Sequence, residues 1–176
     1  MSRRFFLLLP LAGALAAKTP RLLARVPIFG SDGKPIDLRH YRGRTIILMI
    51  FSTACSDCIH MIGLMNDLQQ QLGGRGLQVI GAAGDPVAKY MLGPFVQRYR
   101  PLFPIGYIDK DAIIKVADIP DGMRPIVPIL LFIDKWGMVR EQYYGDHPLM
   151  KSGEPALKAV AQAIIGLTPV AARGSK

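Results

Sequence analysis

Cys55 and Cys58 are the only cysteines in the chain, and they stand with Ser56 and Asp57 between an apolar run and a stretch of helical periodicity. Two sulfurs three residues apart at a helix start can close a disulfide, and the helix N-terminus stabilises whichever one becomes thiolate. The chemistry this points to is a dithiol that exchanges electrons with other disulfides. Structural zinc is disfavoured, because it takes four ligands and no second Cys pair supplies them. Covalent c-type haem needs His directly after the second Cys, whereas Ile59 holds that place and His60 comes one residue late. No metal and no cofactor is expected.

Other polar residues lie close in sequence. Asp57 places a carboxylate near the Cys55 sulfur, where at about 7 Å and an effective dielectric of 20 to 80 it disfavours the thiolate by roughly 0.5 to 2 kcal/mol. It opposes the helix and favours the disulfide, so a reducing potential nearer thioredoxin's (about −270 mV) than DsbA's (about −120 mV) is expected. The same Asp57 can also act as a helix-capping acid. Asp85 ends an apolar strand and is read either as a carrier of protons during exchange or as a turn and cap residue. His60 falls about 140° around the helix from Cys55 and is read as a surface or packing residue, and His147 as loop. The methionines 49, 61, 65 and 91 suit Cu(I) in principle, but Met at helical spacing is ordinarily core filler.

The chain has 176 residues, half of them apolar, which is enough for one core and too little for two ordinary domains. Ser2-Arg3-Arg4 precedes an apolar run from Phe5 to Ala17 that ends in Ala14-Leu15-Ala16. Residues 1–17 are therefore read as an export signal, with the Sec and twin-arginine routes both open and a retained N-terminal tether as the alternative. The domain is expected over 18–168, and 169–176 as a loose tail. Net charge is +9, and removing Arg3 and Arg4 with the leader leaves 20 basic against 13 acidic side chains, or +7. The basic residues are scattered, without the runs that mark a nucleic-acid stripe, so nucleic acid is not an expected partner. Charge of this kind gives solubility or loose attraction to anionic surfaces.

The dithiol needs a frame. Thr45–Phe51 is the continuous β-branched and apolar run of a central parallel strand. Met61, Met65, Leu68 and Leu72 give a helix from Ser56 to Leu72, stopped by Gly73-Gly74. Leu77–Ala83 reads as the next strand, Pro94 as the opening of a helix through Tyr99, and Phe103–Ile108 as a short strand. Gly30-Ser31-Asp32-Gly33 signals an N-terminal edge hairpin between 26–29 and 35–37. Residues 126–133 and 138–144 are strands joined by a turn at Asp134–Gly137. Leu157, Val160, Ala161, Ile164 and Ile165 face one way on a final helix ending at Gly166. Strands and helices in this order give an α/β fold of three layers, a central mixed sheet with helices on both faces.

Several of these segments together resemble the exported thioredoxin-like oxidoreductases of the TlpA/ResA kind, within the redoxin-domain proteins, over about residues 22–166. The matching features are Gly33-Lys34-Pro35, Arg42-Gly43-Arg44, the strand leading into Cys55-Ser56-Asp57-Cys58, the segment Val127 to Asp134, and Gly137. The resemblance implies a cis Val127–Pro128 bond facing the dithiol, where a partner's extended chain can pair beside the sulfurs. Cys55, at the exposed helix start, is then the attacking thiolate and Cys58 the resolving group. Implied partners are client protein disulfides or thiols and a membrane or periplasmic electron donor, with the chain itself a monomer. Ala54, Ser56 and Asp57 depart from the family's usual Trp before the first Cys and Gly-Pro between the two. Two alternatives stay open. Sco-type copper chaperones share the fold but space their cysteines by three residues. Peroxiredoxins place Thr or Ser three residues before the attacking Cys, as Ser52 does, and Pro farther upstream, where Leu48 stands.

Overall fold

Every residue of Thr45–Phe51 is buried, and these seven residues form β3, the middle strand of a seven-stranded sheet. The computed structural model describes residues 19–167, so the expected leader (1–17) and tail (169–176) lie outside the described residues. In chain order the elements are β1 (Arg21–Leu22), β2 (Phe29–Gly30), β3, α1 (Ser56–Leu72), β4 (Leu77–Ala83), α2 (Ala88–Tyr99), β5 (Ile105–Tyr107), α3 (Lys110–Ala117), β6 (Ile129–Ile133), β7 (Met138–Tyr143), α4 (Pro148–Lys151) and α5 (Glu154–Ile165). The strands lie in the order β1-β7-β6-β3-β4-β5-β2. β3 pairs parallel with β4 and antiparallel with β6, which makes the sheet mixed.

Because side chains alternate across a strand, β3 feeds two cores. Ile47, Met49 and Phe51 pack with Met61, Met65 and Leu68 of α1, Leu92 and Phe95 of α2, and Leu157 and Ala161 of α5. Ile46, Leu48 and Ile50 face the other way, onto Ala112 and Val116 of α3 and Ile28 of the N-terminal segment. Helices therefore cover both faces. Burial of each Leu-sized side chain contributes about 1.5–3 kcal/mol, and it is this packing that fixes β3 and α1 relative to each other.

The structure departs from the sequence reading in several places. α2 begins at Ala88 and carries Pro94 inside it, six residues later than its start. Pro94 withholds one N–H from the ladder, but Ala88, Leu92 and Phe95 bury the helix face on both sides of it, and packing outweighs the lost bond. α3 is absent from the sequence reading. Its signals are the Asp109 carboxylate, which accepts the Ala112 N–H at 2.7 Å, and the buried spacing Ala112, Val116, Ala117. α1 ends at Leu72 as expected, but the Gly73-Gly74 pair does not turn the chain: Gly73–Arg75 add a 3-10 turn, and the chain reverses at Gly76, whose φ of 99° is the left-handed one. The strand expected from residue 126 starts only at Ile129, since Pro128 has no N–H to give to a ladder.

At the N-terminal edge the expected hairpin is narrowed to a tight turn, with Gly30 N–H donating to the Lys34 carbonyl at 2.8 Å and a single bridge between Phe29 and Pro35. Pro35 again lacks the donor that would extend the pairing. The arm joins the sheet through β2, antiparallel to β5. The Asp134–Gly137 turn is held by a fully buried carboxylate, which accepts the N–H groups of Trp136 and Met138 at 2.9 Å and Arg140 Nε at 2.6 Å.

Candidate redox site

The end of β3 and the start of α1 bring the two sulfurs together. Cys55 is the N-cap residue of α1, with extended backbone, and its Sγ accepts the Cys58 N–H at 3.2 Å. The Cys55 carbonyl accepts the first helical N–H, from Ile59 at 3.0 Å. A sulfur in this position meets the unsatisfied N–H groups and positive end of the helix, and a thiolate gains most from that. Both thiols are free in this structure. Cys55 is partly exposed, whereas Cys58 is fully buried under the first turn and packs in the α1-side core.

That burial, first of all, pushes the Cys58 thiol well above the ordinary cysteine range. Its hydrogen bond with Cys55 and the nearby Cys55 and Asp57 charges act in the same direction, while the Ser52 backbone works against them. Cys58 is thus held as a thiol in the reduced protein. The asymmetry is chemical: one sulfur is within reach of an outside molecule, and the other is shielded and protonated.

Across from Cys55 lies the loop before β6. The Val127–Pro128 peptide is cis, and the Val127 carbonyl oxygen sits 4.0 Å from Cys55 Sγ. Gly145 fixes that carbonyl. Its N–H donates to the Ile126 carbonyl at 2.8 Å, and a Cβ at this position would lie 2.6 Å from the Val127 oxygen, closer than such contacts allow. Sequence reading missed Gly145, and the only signal available was a glycine directly after the last strand.

Asp85 has a definite task. Its carboxylate accepts the Thr53 N–H at 2.8 Å and the Thr53 hydroxyl at 3.0 Å, tying the turn ahead of Cys55 to the end of β4. No sequence pattern points to Thr53. Of the two readings of Asp85, this geometry is that of a turn-holding carboxylate. Asp57 is exposed in the first turn of α1, and His60 is exposed one turn on. His147, read as loop, is instead the N-cap of α4, its Nδ1 accepting the Leu149 N–H at 3.1 Å. Among the described residues no three His, Cys, Asp or Glu side chains come together in a way that could hold a metal ion. Met49, Met61 and Met65 are buried in the core around the dithiol helix.

Comparison with known proteins follows the same lines. The profile of the AhpC/TSA family matches residues 17–142. Over 115 residues the chain is 28% identical to the thiol-disulfide oxidoreductase ResA of Bacillus thuringiensis subsp. konkukian, a match covering 65% of this chain and 63% of that protein. The aligned part thus spans less than two thirds of the relative's length. Among solved structures, a thioredoxin-family thiol:disulfide interchange protein from Chlorobium tepidum TLS superposes with a TM-score of 0.68 at 20% identity, covering 86% of this chain and all of that one. BsSco, of the Sco family of cytochrome c oxidase assembly proteins, superposes with a TM-score of 0.63 at 17% identity, over 88% and 99% of the two chains. At these identities the structures establish the fold alone, and it is thioredoxin-like.

Proposed function

We propose that this chain, which belongs to the AhpC/TSA family, is a thiol:disulfide oxidoreductase that reduces disulfides of client proteins through Cys55 and Cys58. The observation that carries this reading is the inequality of the two sulfurs: Cys55 accessible at the start of α1, Cys58 buried three residues on and hydrogen-bonded to it. The 28% identity to ResA supports the same assignment.

In the reductive direction the Cys55 thiolate attacks one sulfur of a client disulfide. An S–S bond forms between Cys55 and the client as the client's own S–S bond breaks, and the second client sulfur leaves as a thiolate. Cys58 then loses its proton and attacks Cys55 Sγ. This closes the Cys55–Cys58 disulfide, releases the first client sulfur and leaves the client reduced by two electrons. A dithiol donor then attacks the Cys55–Cys58 disulfide, and its second sulfur resolves the mixed disulfide so formed; both sulfurs of this chain return to thiols and the donor leaves as a disulfide. The Val127 carbonyl and the backbone beside it are the edge along which a client's extended segment pairs, and Asp85 holds Thr53 so that the turn presents Cys55 to it.

The charged start and apolar run of residues 1–17 support an exported protein working outside the cytoplasm, with the leader either removed or kept as a tether. The electron donor is then a membrane or periplasmic dithiol protein. The test is covalent capture. Cys58→Ala protein retains the attacking sulfur and should hold clients as mixed disulfides that dithiothreitol releases, while Cys55→Ala should hold none. Failure of Cys58→Ala to capture any disulfide substrate, together with rapid consumption of hydrogen peroxide by the wild-type protein, would make it a thiol peroxidase instead.

A further inference from the structure

The end of the sheet opposite the dithiol carries a cavity of about 580 Å³, lined by the segment after β1, the start of β3 and the β6–β7 turn. Ile46 and Ile133 line it and are paired across β3 and β6, whereas the dithiol follows Phe51 at the other end of β3. At roughly 3.3 Å per residue, the five steps from Ile46 to Phe51 separate the two ends by about 17 Å. The thiol chemistry leaves this surface unused.

Its composition is that of an interfacial surface. Leu22 is 72% exposed and Trp136 41% exposed, both on the cavity rim. Arg25 and Arg42, also lining it, are exposed and have no carboxylate within ion-pair distance among the described residues. Lys135 extends over the Trp136 ring at 4.8 Å. The acidic residues of the cavity do not offset these cations: Asp37 is engaged by its own neighbour Arg39, and Asp134 is buried and spent on Arg140. Unpaired cations beside an exposed indole and an exposed Leu match an anionic headgroup layer, where the indole sits at the apolar boundary and each nearby basic side chain adds attraction. The chain also enters here. β1 pairs with the start of β7 next to the Trp136 turn, and β1 is preceded within a few residues by the apolar sequence Phe5–Ala17.

We infer that this end of the molecule is a docking face for an anionic lipid bilayer, which leaves the dithiol pointing away from the membrane. The inference stands independently of the redox reading, since none of its residues touches the sulfurs. Trp136 is the only tryptophan in the chain, so its fluorescence reports on this face alone.

The experiment uses the full chain with vesicles of phosphatidylcholine, with and without phosphatidylglycerol. On the anionic vesicles Trp136 emission should shift to the blue and be quenched by brominated acyl chains, and 0.5 M salt should reverse the gain over neutral vesicles. Arg25→Gln with Arg42→Gln should weaken partition onto anionic vesicles about 30-fold, corresponding to roughly 1 kcal/mol per basic side chain, and leave binding to neutral vesicles unchanged. Lys110→Gln with Arg124→Gln, which line a separate cavity between α3 and the segment before β6, should change it less than twofold. Any binding driven by the apolar leader is common to all variants and cancels from these ratios. Co-sedimentation with an unmoved and unquenched Trp136, equal partition onto both vesicle types, or a Trp136 shift produced equally by dissolved glycerol phosphate would overturn the inference.

Discussion

Replacing Asp85 by alanine removes both acceptors that hold Thr53, and with them the tie between the end of β4 and the turn ahead of Cys55. Hydrogen bonds to a charged group are worth about 1.5–3 kcal/mol each when buried. Asp85 is only half-buried, so water takes over part of the loss, and the pair is worth about 1–2 kcal/mol together. For a domain of this size that lowers Tm by about 2–8 °C. Asp85→Asn keeps one acceptor oxygen but turns an amide N–H toward one Thr53 donor, so it should recover about half the loss. Thr53→Val removes the hydroxyl bond alone, and in a double-mutant cycle with Asp85→Ala the two should couple by about 0.5–1 kcal/mol. Denaturant unfolding of the reduced protein measures the stabilities, and the rate of Cys55 alkylation against pH measures the site. Holding the turn predicts lower stability and slower exchange, with the pH profile keeping its shape. Wild-type stability with no coupling to Thr53, combined with a pH profile that moves in Asp85→Asn, would show that Asp85 transfers protons and that the positioning argument is wrong.

Three further outcomes are expected. Because the folded Cys58 pKa lies above its unfolded value near 9, the fold holds its proton more tightly, so the stabilising contribution is complete below about pH 9 and is lost as pH rises above it. Reduced wild type should lose up to about 1.4 kcal/mol per pH unit relative to Cys58→Ala between pH 9 and 10, a window below the Tyr143 hydroxyl, which burial pushes up to about 12; identical slopes would refute this. Gly145→Ala should push the Val127 carbonyl away from Cys55, costing about 1–3 kcal/mol of stability and slowing reaction with protein disulfides more than with small ones; a crystal structure of the variant with Val127 unmoved would contradict it. Equilibration with glutathione should give a potential below about −180 mV. Asp57→Asn should raise it by about 10 to 40 mV, the redox equivalent of roughly 0.5–2 kcal/mol, and a potential that falls would mean that Asp57 does not act through its charge.

The residues that sit in the middle of the structure were legible because their local pattern and their burial agree. Thr45–Phe51 and Ser56–Leu72 match β3 and α1 to the residue, as an uninterrupted apolar run and a clean helical period leave no competing register. Pro94 misled because a proline favours a helix start, yet the apolar face formed by Ala88, Leu92 and Phe95 extends across it. α3 is only eight residues long, too short for its periodicity to stand out beside the Asp109 cap. The cysteines announced the site, but its supports did not. Thr53 meets Asp85 from 32 positions away, and Gly145 meets Val127 across the sheet end, through contacts that only the assembled β3-β4-β6 frame creates.

Competitive alkylation of the fully reduced protein, with the modified cysteines mapped by mass spectrometry, puts the central assignment to its most direct test. Cys55 should be labelled first, and Cys58 should stay unmodified until the chain is denatured. Equal labelling, or labelling of Cys58 ahead of Cys55, would contradict the assignment of an accessible attacking sulfur above a buried resolving one.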